Sequence, residues 1–428
     1  MKRLLTVAVF IAIVLAQANL GSGAGFLIYE HGAAAMAMAG AFVSIANDAS
    51  AIWHNPAGIA FLKGTHVSVG TTLIKSSSTM TLTQPPPWEP QQTWKQKSQV
   101  FYPSTFYITQ SVGEKVTLGF GFFSPYGLGA SWPKENQFRY LGYEDDMKTF
   151  FFNPTVGVKL TDQLSVGAGV SYIYSTVKFK LVSLIDNLVP YTGSTYDVPA
   201  ELEGNGDSWA FNAGLLYRAE KFSLGINWRS SFNIDYKGDM SLDTSPIPSN
   251  FRPLFPTKAG GETTFKFPNI FGVGASFNVT DALLLTADIH YVLWSRFDEY
   301  VVTFDEESGM DDLVTKEDWK NAFTFRLGGQ YTISPQFALR AGVIYDQTPQ
   351  PVKSMDPLLP DADRFAAIAG FGWKLAKNLV LDLAFHHEIF LDRVSPNRDI
   401  YNFGVVNYGK STYEMTANLL AVSLSYGF

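Results

Sequence analysis

The sequence predicts an all-β membrane protein: a fourteen-stranded antiparallel transmembrane β-barrel with a small helical amino-terminal segment plugging its lumen. Three observations carry that expectation. The first is composition. Charged residues make up only 17% of the chain and aromatics 15%, with 36 glycines and 20 tyrosines. Soluble domains carry more charge, whereas strands with one face toward lipid and Tyr, Trp and Phe at the interfaces give this balance. The second is an alternation of period two that dominates from Gly64 onward. The third is the spacing of the strands, whose connections alternate between short and long. A mean hydropathy of +0.03 is too low for a helical membrane protein. After the first 20 residues no apolar run is long enough to span a bilayer as a helix.

Taken in order, residues 1–23 read as a secretory signal. Lys2 and Arg3 form a basic start, Leu4 to Ala16 an apolar run, and Ala16-Gln17-Ala18 a small-residue cleavage site. A second possible cut lies after Gly23. No cysteine follows, and the chain contains none, so lipid anchoring, disulfides, thiol catalysis and Cys-ligated zinc are excluded. The net charge of −7 becomes more negative once Lys2 and Arg3 are removed, which argues against a nucleic-acid partner.

Residues 24–63 differ from everything after them. Ala33 to Ala41 reads AAAMAMAGA, a helix former with tiny side chains that fits a narrow lumen. Gly40 to Ala60 is small, uncharged apart from Asp48, and broken by Pro56. It has too few charges and too many apolar residues for a disordered leader. These residues are expected to form a hatch, and residues 64–428 the barrel.

In the barrel the clearest strand is Leu164 to Tyr174. Leu164, Val166, Ala168, Val170, Tyr172 and Tyr174 share one face, with Ser165, Gly167, Gly169 and Ser171 on the other. The same pattern recurs around Trp209–Tyr217, Phe222–Trp228, Leu283–Leu293, Phe323–Tyr331 and Phe337–Tyr345. Fourteen strands fit, near 64–74, 99–110, 115–125, 148–160, 164–182, 207–218, 222–236, 262–277, 282–304, 318–332, 336–347, 363–375, 379–391 and 413–428. Short turns such as Gly113-Glu114 and Thr161-Asp162-Gln163 alternate with long connections at 75–98, 126–147, 183–206, 237–261, 348–362 and 392–412. Short turns at one rim and long loops at the other are the layout of an outer-membrane barrel. An even count puts both ends of the barrel on the short-turn, periplasmic side, where the hatch must begin.

Three stretches then resemble a known family: Asn55-Pro56-Ala57, the run from Gly119 to Leu128, and Asn153-Pro154 followed by Leu164–Gly169. They look like the outer-membrane long-chain fatty acid transporters of the FadL/TodX type, and the resemblance covers the mature chain. It implies a monomer without cofactors, in contact with outer-membrane lipid. Extracellular loops capture a fatty acid or other hydrophobic molecule. The lumen binds it, and a hatch movement releases it sideways through a kink in the third strand. By resemblance the hatch residues are Phe26, Asn55, Pro56 and Ala57, and the kink is Ser124-Pro125-Tyr126-Gly127. Proline lacks an N–H and is expelled from central strands. On the residues alone, that tetrapeptide either interrupts the wall or begins the next loop; the resemblance favours a wall opening. Asn55 is placed to hydrogen-bond the wall beside the third strand.

Candidate binding residues follow from the lumen face. Arg218, Arg229, Arg326 and Arg340 could grip a carboxylate, since a guanidinium fork matches it. They could equally hold the hatch or neighbouring strands, as could Asp288 and His290. Apolar loop residues Leu184, Ile185, Leu188, Phe251, Leu254 and Phe255 suggest an outer capture groove. No catalytic motif surrounds His66 and Ser68. His386 and His387 point to opposite faces of a strand and cannot share one metal ion. Asp382 and His386 read as an interior polar pair. The chain is expected to be neither an enzyme nor a metal protein. The functions weighed are fatty acid transport, uptake of aromatic hydrocarbons, a loop-based adhesin and, last, an outer-membrane hydrolase.

Overall fold

Alternating outward apolar and inward small or polar side chains close the chain into one antiparallel barrel of fourteen strands. The structure is a computed structural model that describes residues 25–84, 92–186, 194–396, 399–401, 405–407 and 410–428. The signal reading of residues 1–23 and the groove residue Leu188 lie outside the described residues. The strands are β1 (Thr65–Gln84), β2 (Ser104–Val112), β3 (Val116–Phe123, resuming as Gly127–Ser131), β4 (Glu144–Lys159), β5 (Leu164–Asp186), β6 (Thr195–Arg218) and β7 (Phe222–Arg229 and Phe232–Leu242). Then come β8 (Lys258–Phe267 and Ile270–Asn278), β9 (Leu283–Val292 and Glu299–Phe304), β10 (Leu313–Lys316 and Ala322–Ser334), β11 (Phe337–Asp346), β12 (Arg364–Ala376), β13 (Leu379–Phe390) and β14 (Lys410–Gly427). Each pairs with its neighbours in sequence, and β14 closes the ring on β1 from His66↔Gly427 to Gln84↔Lys410.

The outer face confirms a lipid surround. Trp209, Phe211, Leu224, Ile226, Val273, Leu327, Val343 and Phe365 are each exposed by half or more. A continuous apolar belt of that kind is tolerated in lipid and not in water. No helix among the described residues is long and apolar enough to cross a membrane.

Two expectations need correcting. Much of the long connections is strand: β1 runs to Gln84, β5 to Asp186, β6 begins at Thr195 and β7 reaches Leu242. Beyond the bilayer the outward face meets water, so it need not stay apolar while the ladder continues. There Lys178 pairs with Glu201 and Glu203, and Lys180 reaches Glu144 at 2.8 Å. The helix expected over Ala33–Ala41 is a single turn, α1 (Ala33–Met36). Ala39 (φ 62°) and Gly40 (φ 68°) then take the left-handed conformation, which ends a right-handed helix and turns the chain back inside the barrel.

Candidate functional site

Residues 25–63 fill the lumen. After α1 come α2 (Ala51–His54) and a 3-10 turn, Pro56–Phe61. Asn55 joins the two: its Oδ1 accepts the Ala57 N–H at 3.1 Å, the standard cap of a helix start, and Pro56 occupies the first helical position, where a missing N–H costs nothing. Its Nδ2 donates to Val43 O at 2.8 Å and to Leu215 O of β6 at 3.1 Å. The wall bond expected beside the third strand is therefore made at the sixth, because the glycines of β5 and β6 leave the room. A Cβ on Gly214 would lie 2.0 Å from Asn55 Oδ1, and one on Gly167 2.3 Å from the Pro56 carbonyl carbon. Ser165 of β5 donates to Ala57 O at 2.8 Å.

Three of the four lumen arginines meet backbone carbonyls of this inner segment. Arg218 donates to Ile45 O and Ala46 O, and its guanidinium stacks on Phe61. Arg229 donates to Ile52 O at 3.0 Å and to Trp53 O, lying 3.8 Å over the Trp53 ring. Arg326 donates to Ala39 O at 2.9 Å and covers Tyr29. Asp288 accepts the Val43 N–H at 2.8 Å, and His290 Nε2 meets the Tyr29 hydroxyl at 2.5 Å. Arg340 instead pairs with Asp382 at 2.5 Å. Helix and turn ends leave carbonyls without intrasegment partners, and these side chains supply donors to them.

The second feature is a break in β3. Its first part pairs with β2 only as far as Phe106↔Phe122. Against β4, Phe123↔Phe151 is followed by Gly127↔Lys148. Ser124, Pro125 and Tyr126 thus oppose only Thr149 and Phe150, which bulges the strand. On the β2 side the edge of this bulge has no wall strand to pair with. The inner segment takes that place. Ile28 N donates to Pro125 O at 2.7 Å, Gly127 N donates to Phe26 O at 3.0 Å, and Leu27 forms an antiparallel bridge with Tyr126.

Phe26, one residue away, sits in an aromatic cage. Its ring centroid is 4.7 Å from Trp294, 5.2 Å from Phe297, and 5.6 Å from both Phe267 and Trp319, with Tyr126 at 6.2 Å. Above the cage, toward the long-loop rim, is a cavity of about 430 Å³. Leu128, Tyr236, Phe265, Phe297, Tyr300 and Leu358 line it. Its size and apolar walls suit a small hydrophobic ligand. Sequence reasoning missed this chamber. The strand expected over 282–304 is interrupted by a 3-10 turn, Trp294–Arg296, which swings Trp294 and Phe297 inward. The signal was present: Tyr291-Val292-Leu293-Trp294 breaks the alternation.

At the outer rim Ile185 packs with Val198 and buried Ile247, and Phe251 and Phe255 lie against them; Leu184 is half-buried beside Ile185, while Leu254 is 71% exposed. His66 Nε2 meets Lys63 O and Ser68 bonds Ser425, so the two form no dyad. His386 is buried, with Nε2 4.0 Å from Glu388, while His387 meets Asn418 on the exposed side. Among the described residues no cluster has three metal ligands.

The sequence signature described as outer membrane protein transport protein (OMPP1/FadL/TodX) matches residues 14–428. The long-chain fatty acid transport protein of Salmonella typhi is 26% identical over 398 residues, covering 88% of this chain and 89% of its own length. Outer membrane protein P1 of Haemophilus influenzae is 24% identical over 358 residues, covering 77% of this chain and 75% of its own. Among solved structures, a Pseudomonas aeruginosa FadL homologue matches with a TM-score of 0.82 at 18% identity, over 95% of this chain and 100% of that one. The Ralstonia pickettii toluene transporter TbuX matches with a TM-score of 0.69 at 16% identity, over 93% and 98%. At such identities the structural matches speak to fold alone.

Proposed function

The chain belongs to the outer membrane protein transport protein family (OMPP1/FadL/TodX), transporters of hydrophobic compounds across the outer membrane and not enzymes, and from that premise we propose passive uptake with lateral release. In this reading residues 1–23 are removed on export and residues 24–63 act as a hatch in a monomeric barrel. Ile185, Phe251 and Phe255, with Leu184, Leu188 and Leu254, catch a hydrophobic molecule at the rim. It passes to the chamber above Phe26. The hatch strip from Phe26 to Ile28 then leaves the β3 edge, and the molecule exits between β2 and β3 into lipid without crossing water.

The observation that carries this reading is the pair of hydrogen bonds from that strip to Pro125 and Gly127, made where the wall lacks its own partner. Arg218, Arg229 and Arg326 hold the rest of the hatch in place, so movement is confined to the strip. Long-chain fatty acids are the first substrate reading, after the Salmonella typhi relative's name. Aromatic hydrocarbons are the second, after the name of the toluene transporter TbuX and the aromatic cage around Phe26. The test is transfer of oleate, oleyl alcohol and toluene into vesicles holding the purified protein. Transfer of at least one faster than in protein-free vesicles supports transport; equal rates for all three overturn it.

A further inference from the structure

The inner wall of the chamber carries three carboxyls: Asp145, Glu317 and Asp356 line it. At the rim Glu203, Asp239 and Glu262 are taken up in ion pairs with Lys178, Lys258 and Lys237. Among the described residues the one cation that lines it is Lys237, exposed at the rim and 3.3 Å from Glu262. The lumen arginines lie elsewhere, on hatch carbonyls and on Asp382. The polar void that Arg326 and Arg364 border is about 10 Å³, room for one water and not for a ligand head group.

The three inner carboxyls converge. Asp145 and Asp356 are within electrostatic reach of each other, and Tyr300 lies in the field of all three. Two have identified partners. Glu317 accepts the Trp319 indole N–H at 2.9 Å, and one oxygen of Asp356 accepts the N–H groups of Leu358 and Leu359 at 2.8 and 3.0 Å. Asp145 is different. It is 2% exposed, Oδ1 accepts the Ala130 N–H at 2.5 Å, and Oδ2 is buried with no hydrogen-bond partner. Burial, with Asp356 adding to it, pushes the Asp145 carboxyl well above the usual carboxylate range. A ligand that donates to Oδ2, above all a cationic one, would favour its ionised form, and Asp145 lines a cavity large enough for a ligand.

We infer that the chamber selects hydrophobic molecules whose polar end donates hydrogen bonds, such as long-chain amines, alcohols or amides and phenols, and selects against ionised carboxylates. The Asp145 Oδ2 accepts the donor, while Tyr236, Phe265 and Phe297 hold the apolar body. An ionised carboxylate would enter a poorly solvated site lined by carboxyls, with no guanidinium to pair it. The inference rests on the transport reading and, within it, goes against the first substrate reading, the fatty acid carboxylate.

The test uses the full-length mature protein in lipid nanodiscs with a bound neutral fluorescent hydrophobe, displaced by oleylamine, oleyl alcohol or oleate, which share one chain length. Empty nanodiscs correct for partitioning. The amine and the alcohol are expected to displace the dye at concentrations about ten-fold below oleate, the scale of one hydrogen bond to a charged group. Asp145→Asn, confirmed as folded by heat-modifiable mobility, is expected to bring amine and oleate to within about three-fold of each other. Oleate competing as well as the alcohol, or an unchanged ratio in folded Asp145→Asn, overturns the inference and leaves transport standing. No displacement by any of the three overturns both. Should Asp145→Asn not fold, the order of the three ligands on the unaltered protein decides.

Discussion

Two parts of the same wall treat the inner segment in opposite ways. From Leu164↔Tyr217 to Asp186↔Thr195, β5 and β6 form an unbroken ladder. There the segment only decorates the wall: Asn55 adds one bond to a carbonyl, Ser165 adds another, and glycines make space. Between β2 and β3 the ladder stops at Phe106↔Phe122, and the segment becomes a substitute strand. The difference teaches where parting the wall would break the fewest bonds. Separating β5 from β6 would break a long run of hydrogen bonds. Separating the strip from β3 breaks two, each about 1 kcal/mol net, and each of the buried Phe26, Leu27 and Ile28 that it uncovers costs a further ~2 kcal/mol. The fewer of them leave their contacts, the larger the open population that a ligand can enlarge.

The comparison breaks most sharply if the β3 bulge is removed. Deleting Ser124 together with Pro125→Val leaves two residues opposite Thr149 and Phe150 and restores a one-to-one ladder. Uptake of a hydrophobic substrate is expected to fall by about ten-fold or more, measured as vesicle transfer with folding checked by heat-modifiable mobility. Unaltered uptake would mean that the wall break is not the exit. A smaller effect is expected on the continuous side. The new methyl of Gly214→Ala would meet Asn55 Oδ1, and overpacking of this kind costs about 1–3 kcal/mol. It should lower the thermal midpoint and expose residues near Asn55 to protease while leaving the Ile28–Pro125 and Phe26–Gly127 bonds in place.

The smallest effect concerns the start of the strip. Gly25 N donates to Asp361 Oδ2 at 3.1 Å, in the loop before β12. Burial raises the Asp361 carboxyl from 3.8 to about 6, with Arg364 opposing. A carboxyl held above its unfolded value stabilises the fold fully below 3.8, and that contribution is lost as pH rises through about 6. Asp361→Asn, uncharged throughout, should remove the slope. Its thermal midpoint relative to the parent protein is expected to rise across that window and stay level above it. A constant difference would show that Asp361 does not titrate there.

The barrel was legible because a strand writes its two faces into alternate residues. Leu164, Val166 and Tyr172 against Ser165, Gly167 and Ser171 needed no partner to be read. Strand ends were less so, because around Lys178 and Glu201 the outward face is polar and the ladder continues all the same. The lumen face showed that Arg218, Arg229 and Arg326 point inward, yet nothing local says that they meet the carbonyls of residues 45, 52 and 39. Those contacts depend on how a segment more than a hundred residues away folds back. Pro125 could be flagged from its missing N–H, while its role as an acceptor for Ile28 could not. Asp145 drew no notice, since its character comes from the cavity beside it.

The central claim, that the strip from Phe26 to Ile28 seals the exit, has a direct test in this cysteine-free chain. Leu27 and Tyr126 face each other as a non-hydrogen-bonded antiparallel pair, flanked by the Ile28–Pro125 and Phe26–Gly127 bonds. Such pairs place Cα atoms about 4.5 Å apart, within the range a disulfide spans. In Leu27→Cys/Tyr126→Cys the oxidised protein should bind a hydrophobic ligand but not transfer it, and reduction should restore transfer. Transfer at equal rates in the oxidised and reduced forms would contradict the account.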